Sequence, residues 1–233
     1  MMLGPRERAL WDAQCKAEML FEAVVNRGGI RPGVLESELS REVHALAREL
    51  FGVKRHWHRR IVRSGPNTLC GYQEDPPDRR LREDDILFFD FGPVFSDWEA
   101  DLGRSYVLGT DPDKHRLVAD LGHAFARGQA LYESTPELTA GELYDYVAGL
   151  AGEYGWTFGA PSAGHPVDSF PHEGDPSQQH SIKSGNRLRL REPLADATPR
   201  HWILEIHFVD RPRDFGGFYE ELLTIRGSRT NLP

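Results

Sequence analysis

Cysteine is scarce in this chain: only Cys15 and Cys70 occur in 233 residues. Two thiols do not make a disulfide framework, so the fold is expected to stand on its own core in a cytoplasmic setting. No apolar run approaches the length of about 18 residues that a spanning helix needs, so no membrane segment is expected. The opening residues, Met1-Met2-Leu3-Gly4-Pro5-Arg6-Glu7-Arg8, turn charged at once and lack the apolar stretch of a secretion signal. Positive charge is in deficit, with a net charge of −8. That disfavours nonspecific nucleic-acid binding, and no nucleic-acid partner is expected. Neither a solenoid repeat nor a dividing linker is visible, so one domain over residues 1–233 is the expectation.

What is present suffices for a core, at 39% hydrophobic residues. Leu10 to Val25 is apolar at helical spacing and stops at Gly28-Gly29. Leu39, Val43, Leu46 and Leu50 predict a second helix. "RHWHRRIVRSGPN" reads as a strand ending in a turn, and 71–85 as a charged loop. Strands follow around Asp90 and Asp101, then helices near 112–133 and 139–153. The second of these opens with the capping-box pattern Thr139-Ala140-Gly141-Glu142. Residues 157–186 are rich in Gly, Pro, Ser and His, the mark of a functional or disordered loop. "WILEIHFVD" and "GFYEELLTI" are strands joined by a hairpin connection. The order suggests an α+β fold, with two related halves.

Strands built from Phe, Ile, Val and Leu seldom bury carboxylates unless these are paired or bind metal. Yet Asp90 ends "ILFFD", and Asp101 precedes "LGRSYVL" eleven residues later. His165, Glu205 and Glu220 sit on or beside the later strands. Taken singly, each has an ordinary reading as a turn, loop or solvated residue.

Together, "DFG…ADLGRS", "AGHPVDSFPHE", "ILEIHF" and "FYEELLTI" resemble the five-ligand pattern of the pita-bread metallopeptidase family. That family includes methionine aminopeptidase, aminopeptidase P, prolidase and creatinase. The ligand order, the spacing of the aspartates and His172 seven residues after His165 all match, over about residues 5–226. The resemblance implies a pita-bread fold in one catalytic domain without the extra N-terminal domain of aminopeptidase P or prolidase. It implies two divalent ions, and hard oxygen donors with an imidazole suit Mn, Fe, Co or Zn. By resemblance Asp90 chelates one ion, His165 and Glu205 the other, while Asp101 and Glu220 bridge. In the family's peptidases a hydroxide between the ions attacks the scissile carbonyl; Glu205 would then shuttle protons and His172 steady the oxyanion.

The pattern is departed from around the substrate. A histidine usual in the loop before the first aspartate is missing from "TLCGYQED", where Gly71, Tyr72 or Gln73 stands. Pro166 follows the ligand histidine, Asp168 adds a negative charge, and Phe218 stands where the aminopeptidase P subgroup often has arginine. Glu205 and His207 share a strand face, making His207 either an extra ligand or partner, or a polar surface residue. His58 is a candidate replacement for the missing histidine; the opposing reading alternates a strand, with His56 and His58 on one face and Trp57 in the core. Arg104 reads as a structural partner for a carboxylate. The substrate-side candidates are therefore His58, Tyr72, Asp168 and His207.

The expectation is a metal-dependent hydrolase resembling Xaa-Pro aminopeptidase, acting on a small peptide or small-molecule substrate. The competing readings are a same-fold enzyme acting on a non-peptide metabolite, as creatinase or a lyase does, and a non-catalytic binding protein. The retained ligands argue against the last. The resemblance admits a homodimer.

Overall fold

The computed structural model describes residues 3–171 and 180–227, so His172 and Glu173 lie outside the described residues. Helix α1 (Pro5–Asn26) has proline in its first turn and buries Leu10, Ala13, Ala17, Leu20, Phe21 and Val24 at helical spacing. Helix α2 (Glu36–Phe51) buries Leu39, Val43 and Leu46. Leu50, expected to continue that stripe, is 40% exposed in the last turn. Helix α3 (Pro112–Ser134) is capped by the Asp111 carboxylate, which accepts from Asp113 N at 2.9 Å. Helix α4 (Ala140–Glu153) has the reciprocal cap that its sequence predicts. Thr139 N donates to Glu142 Oε2 at 2.9 Å and Glu142 N to Thr139 Oγ1 at 3.2 Å.

Among the described residues eight strands complete the fold: β1 (Ile61–Ser64), β2 (Ile86–Phe91), β3 (Val94–Phe95), β4 (Trp98–Glu99), β5 (Leu102–Val107), β6 (Thr157–Phe158), β7 (Ile203–Asp210) and β8 (Phe215–Leu222). β3 and β4 pair alone; the other six form an antiparallel sheet in the order β1-β2-β5-β8-β7-β6. The strand expected from "RHWHRRIVRSGPN" is shorter than its pattern. A strand forms at Ile61–Ser64, His56 makes one isolated bridge to Pro93, and Gly65–Leu69 wind into a 3₁₀ turn.

The sheet joins two halves of like composition. α1 and α2 pack with β1, β2 and β5 around Phe21, Leu39, Phe89 and Leu102. α3 and α4 pack with β7 and β8 around Leu121, Phe125, Leu204 and Phe208. The backbone register between β5 and β8 is confined to Gly103↔Glu220. Side chains continue the joint: Ser105 Oγ accepts from Phe218 N at 2.7 Å and donates to Phe218 O at 2.9 Å. Arg104 Nη1 donates to Glu220 O at 2.7 Å, and its guanidinium pairs with Glu221.

Period-2 alternation then decides which residues reach the functional face. Leu87, Phe89 and Phe91 of β2 and Leu204, Ile206 and Phe208 of β7 join the helix-side cores. Phe88, Asp90, Glu205 and His207 are left for the opposite face. Among the described residues, no helix is long and apolar enough to cross a membrane.

Candidate metal centre

Strand register assembles the site. Ile61 faces Asp90, Asp90 faces Gly103, Gly103 faces Glu220, and Glu220 faces Glu205. Residues far apart in sequence thus form one row across five strands, with neighbouring positions about 5 Å apart. Gly103 keeps the middle of the row open, since a Cβ there would lie 2.5 Å from the Phe218 ring and 2.9 Å from Glu220 Cβ. Asp101 enters from the residue before β5. His165 comes from the segment that runs beside β7, tied by Glu205 N to Ala163 O at 3.0 Å and Ile203 N to His165 O at 2.8 Å. Gly164, at φ +136, permits that approach: a side chain there would strike the Ile203 carbonyl.

Two triads of donor atoms share Asp101. His58, Asp90 and Asp101 form one, and Asp101, His165 and Glu220 the other, each set lying within 4.8 Å of one another. His165 Nε2 is 3.0 Å from Asp101 Oδ2, 3.6 Å from Glu205 Oε1 and 3.9 Å from Glu220 Oε1. Burial pushes Asp90, Glu205 and Glu220 above the usual carboxylate range, and their neighbours' negative charges push the same way. Burial also opposes the charge of Asp101, but His58 and His165 outweigh it and hold that carboxyl low. Burial lowers both imidazoles, yet the facing carboxylates lift each to about 9.

These residues fit a pair of divalent cations. Glu220 is 2% exposed, and its Oε2 has no hydrogen-bond partner among the described residues. A buried carboxylate oxygen left that way is costly unless a cation meets it. Four carboxylates, Asp90, Asp101, Glu205 and Glu220, match the charge of two divalent ions, and oxygen with imidazole is a donor set for Mn, Fe, Co or Zn.

The substrate-side candidates separate. His58 points at the carboxylates, with Nε2 3.0 Å from Asp101 and 3.5 Å from Asp90. The alternation expected for His56-Trp57-His58 does not occur, because this segment is not a regular strand. His56 is half-buried against His44 and Phe91, and burial, then Arg60, push its imidazole down to about 3. Trp57 faces the cavity, its ring centroid 5.1 Å from that of His165. Tyr72 is at the rim, 45% exposed under the Arg59 guanidinium. Asp168 is half-buried at the cavity wall, and Arg6 grips both its oxygens, at 3.0 and 2.6 Å. His207 is not at the surface. It is 4% exposed, its Nε2 donates to Thr68 O at 2.8 Å, and burial lowers it to about 4.

A second row lies beside the first: Arg63 faces Phe88, Phe88 faces Ser105, and Phe218 faces His207. Ile61, Arg63, Phe88, His207 and Phe218 wall a cavity of about 1180 Å³ above the carboxylates. Sequence reasoning missed Arg63, Phe88 and Trp57. The alternation Ile61/Arg63 was the available signal for the first.

A family-wide sequence profile, metallopeptidase family M24, matches residues 8–196. The chain belongs to metallopeptidase family M24. Within it, the chain is similar to the Xaa-Pro dipeptidase of Lactobacillus helveticus, 25% identical over 179 residues, 76% of this chain and 47% of that protein. It is 26% identical to the Xaa-Pro dipeptidase of Pyrococcus furiosus over 145 residues, 62% of this chain and 41% of the relative. The M24 chain thus spans about half the length of the curated relatives it matches. Its fold is that of the Xaa-Pro dipeptidase from Bacillus anthracis, with a TM-score of 0.76 at 20% identity, over 98% of this chain and 63% of the other. The prolidase from Thermococcus sibiricus superposes with a TM-score of 0.74 at 20% identity, over 92% and 55%. The architecture is therefore the pita-bread fold of the M24 peptidases.

Proposed function

We propose that this M24 protein is a two-metal hydrolase that cleaves small Xaa-Pro substrates, dipeptides above all. The observation that carries the reading is the buried row Asp90–Gly103–Glu220–Glu205 with Asp101 and His165 converging on it. Asp90, Asp101, Glu220, His165 and Glu205 would hold the ions. Divalent ions there would polarise a peptide carbonyl and acidify a water. Glu205 is 19% exposed at the edge of the cluster, and burial lifts its carboxyl to about 7. Glu205 also takes the proton-transfer role that the family resemblance gives it. His172 keeps the oxyanion-steadying role that the family resemblance gives it.

The cavity supports the substrate class. Ile61, Phe88 and Phe218 offer an apolar wall for a pyrrolidine ring beside the carboxylates. Arg63 is buried next to them, and its guanidinium donates to Gly71 O at 2.9 Å and Glu74 O at 2.8 Å, to Cys70 O as well, with no carboxylate among those partners. A cation so placed suits the terminal carboxylate of a dipeptide. The relatives named Xaa-Pro dipeptidase point the same way.

The test compares kcat/KM for Ala-Pro, Ala-Pro-Ala and Met-Ala-Ser after loading with Mn(II), Fe(II), Co(II) or Zn(II). Ala-Pro should lead by about 10²-fold, the scale on which misplacing a scissile bond is felt. Cleavage of the Met peptide near 10⁴ M⁻¹s⁻¹, an ordinary enzymatic value, would overturn the substrate assignment. Failure of the metal-loaded protein to cleave any of the three would overturn the peptidase reading.

A further inference from the structure

Asp101 is faced from two sides by matching groups. His165 Nε2 stands 3.0 Å from its Oδ2, and His58 Nε2 stands 3.0 Å from its Oδ1. Both imidazoles are anchored alike. His165 Nδ1 lies 2.9 Å from Pro166 O, and His58 Nδ1 lies 2.7 Å from Arg59 O, in each case the carbonyl of the next residue. A carbonyl only accepts, so Nδ1 keeps a proton, and a ring that yields its other proton to an arriving cation has its lone pair on Nε2. That tautomer, fixed by a backbone acceptor, is the one a metal-binding histidine uses.

The surroundings of His58 are built rather than incidental. Its side chain is 6% exposed, and Nε2 lies 3.0 Å from Asp101 and 3.5 Å from Asp90. Donor atoms sharing one ion at bonds of ~2.1 Å stand roughly 3.0–3.4 Å apart, by the geometry of an octahedron or tetrahedron. Trp57 N donates to Gly92 O at 2.9 Å, and Trp57 Nε1 to Ala100 O at 3.1 Å, which pins the segment over both aspartates. Gly92 supplies the cradle: a Cβ there would collide with the His58 and Trp57 rings together.

We propose that His58 is a metal ligand, completing with Asp90 and Asp101 the site of one ion, so that each ion carries one imidazole. The proposal rests on the two-metal reading above. It differs from two other roles for the same ring. A protonated His58 that only pairs with the aspartates would offer no nitrogen to a cation. A histidine aimed at substrate would leave metal affinity unchanged.

Metal-free wild type, His58→Asn, His165→Ala and the double variant are titrated with Mn(II) alone by calorimetry, after melting curves show that each folds. His58→Gln replaces His58→Asn if the latter does not. Pulsed EPR at one equivalent of Mn(II) then reads nitrogen coupling from bound imidazole. Wild type should take up two ions, and His58→Asn should bind one of them at least 10- to 100-fold more weakly, the scale on which even a ligand's supporting partner is felt. His165→Ala should keep an imidazole nitrogen signal that the double variant loses. Wild-type stoichiometry and affinity in His58→Asn, or nitrogen coupling that survives in the double variant, would overturn the role of His58 while leaving the two-metal reading intact. No Mn(II) uptake by wild type would overturn both.

Discussion

The rows Asp90–Gly103–Glu220–Glu205 and Arg63–Phe88–Ser105–Phe218–His207 are neighbours on one face of one sheet, yet they are governed by different physics. The first gathers like charges in a place where burial resists ionisation, so its composition only makes sense with cations. The second is held in place by bonds and packing of its own. Ser105 bonds the Phe218 backbone, His207 bonds Thr68, Arg63 bonds three carbonyls, and Phe88 packs on Phe218 with centroids 5.4 Å apart. Adjacent strips of a sheet can thus be separately specified, one by the chemistry it must hold and the other by packing that shapes the space above it.

Substitutions can break that separation. Asp101→Ala, which removes the carboxylate common to both triads, should strip most of the metal as measured by plasma mass spectrometry. Turnover should fall about 10³-fold, as several kcal/mol of charge stabilisation disappear at tenfold per 1.4 kcal/mol. Phe218→Ala should do the reverse, leaving metal content unchanged while kcat/KM for Ala-Pro drops about 10- to 100-fold through loss of the apolar wall. Loss of metal in Phe218→Ala would show that the rows are not independent.

Gly103→Ala tests the one position that touches both. Its added methyl has to displace Phe218 and Glu220 together, so chemical denaturation should show a loss of about 1–3 kcal/mol, with metal binding weakened as well. The smallest effect belongs to the rim. Arg6 holds Asp168 below its ordinary value against the opposing pull of burial. A depressed folded-state value gives stability that is present above about pH 4 and fades as pH falls through the lowered one. Arg6→Ala should therefore cost at most about 1 kcal/mol at pH 7, and melting curves of variant and wild type should converge below pH 4.

Much of this was legible in the linear sequence. The helix stripes at Leu39, Val43 and Leu46 and the Thr139–Glu142 cap are local, and local patterns survive folding. Asp90, Asp101, His165, Glu205 and Glu220 read singly as ordinary residues and stand out only together, through the family pattern, and the fold brings them to one centre. His58 did not yield to the same reasoning. Its segment is held by Gly92 and Ala100 rather than by a ladder, so strand periodicity does not give the face of each side chain. The setting of Asp168 is illegible for another reason: its partner Arg6 lies 162 residues away, and nothing near Asp168 in sequence announces it. Leu50 kept the period but sits in the last helical turn, where the stripe no longer meets the core.

The narrow joint between β5 and β8 gives the centre a second meaning. Asp90 and Asp101 belong to the half built on α1 and α2, while His165, Glu205 and Glu220 belong to the half built on α3 and α4. Between them the backbone ladder contributes only the Gly103↔Glu220 pairing. On the two-metal reading, a cation shared by the two sets would act as a rivet across the shortest backbone ladder of the sheet. Its binding energy is then also adhesion energy between the halves, growing with the logarithm of metal concentration over its dissociation constant. The amides flanking that line become gauges of occupancy, exchanging with solvent faster as the rivet is drawn.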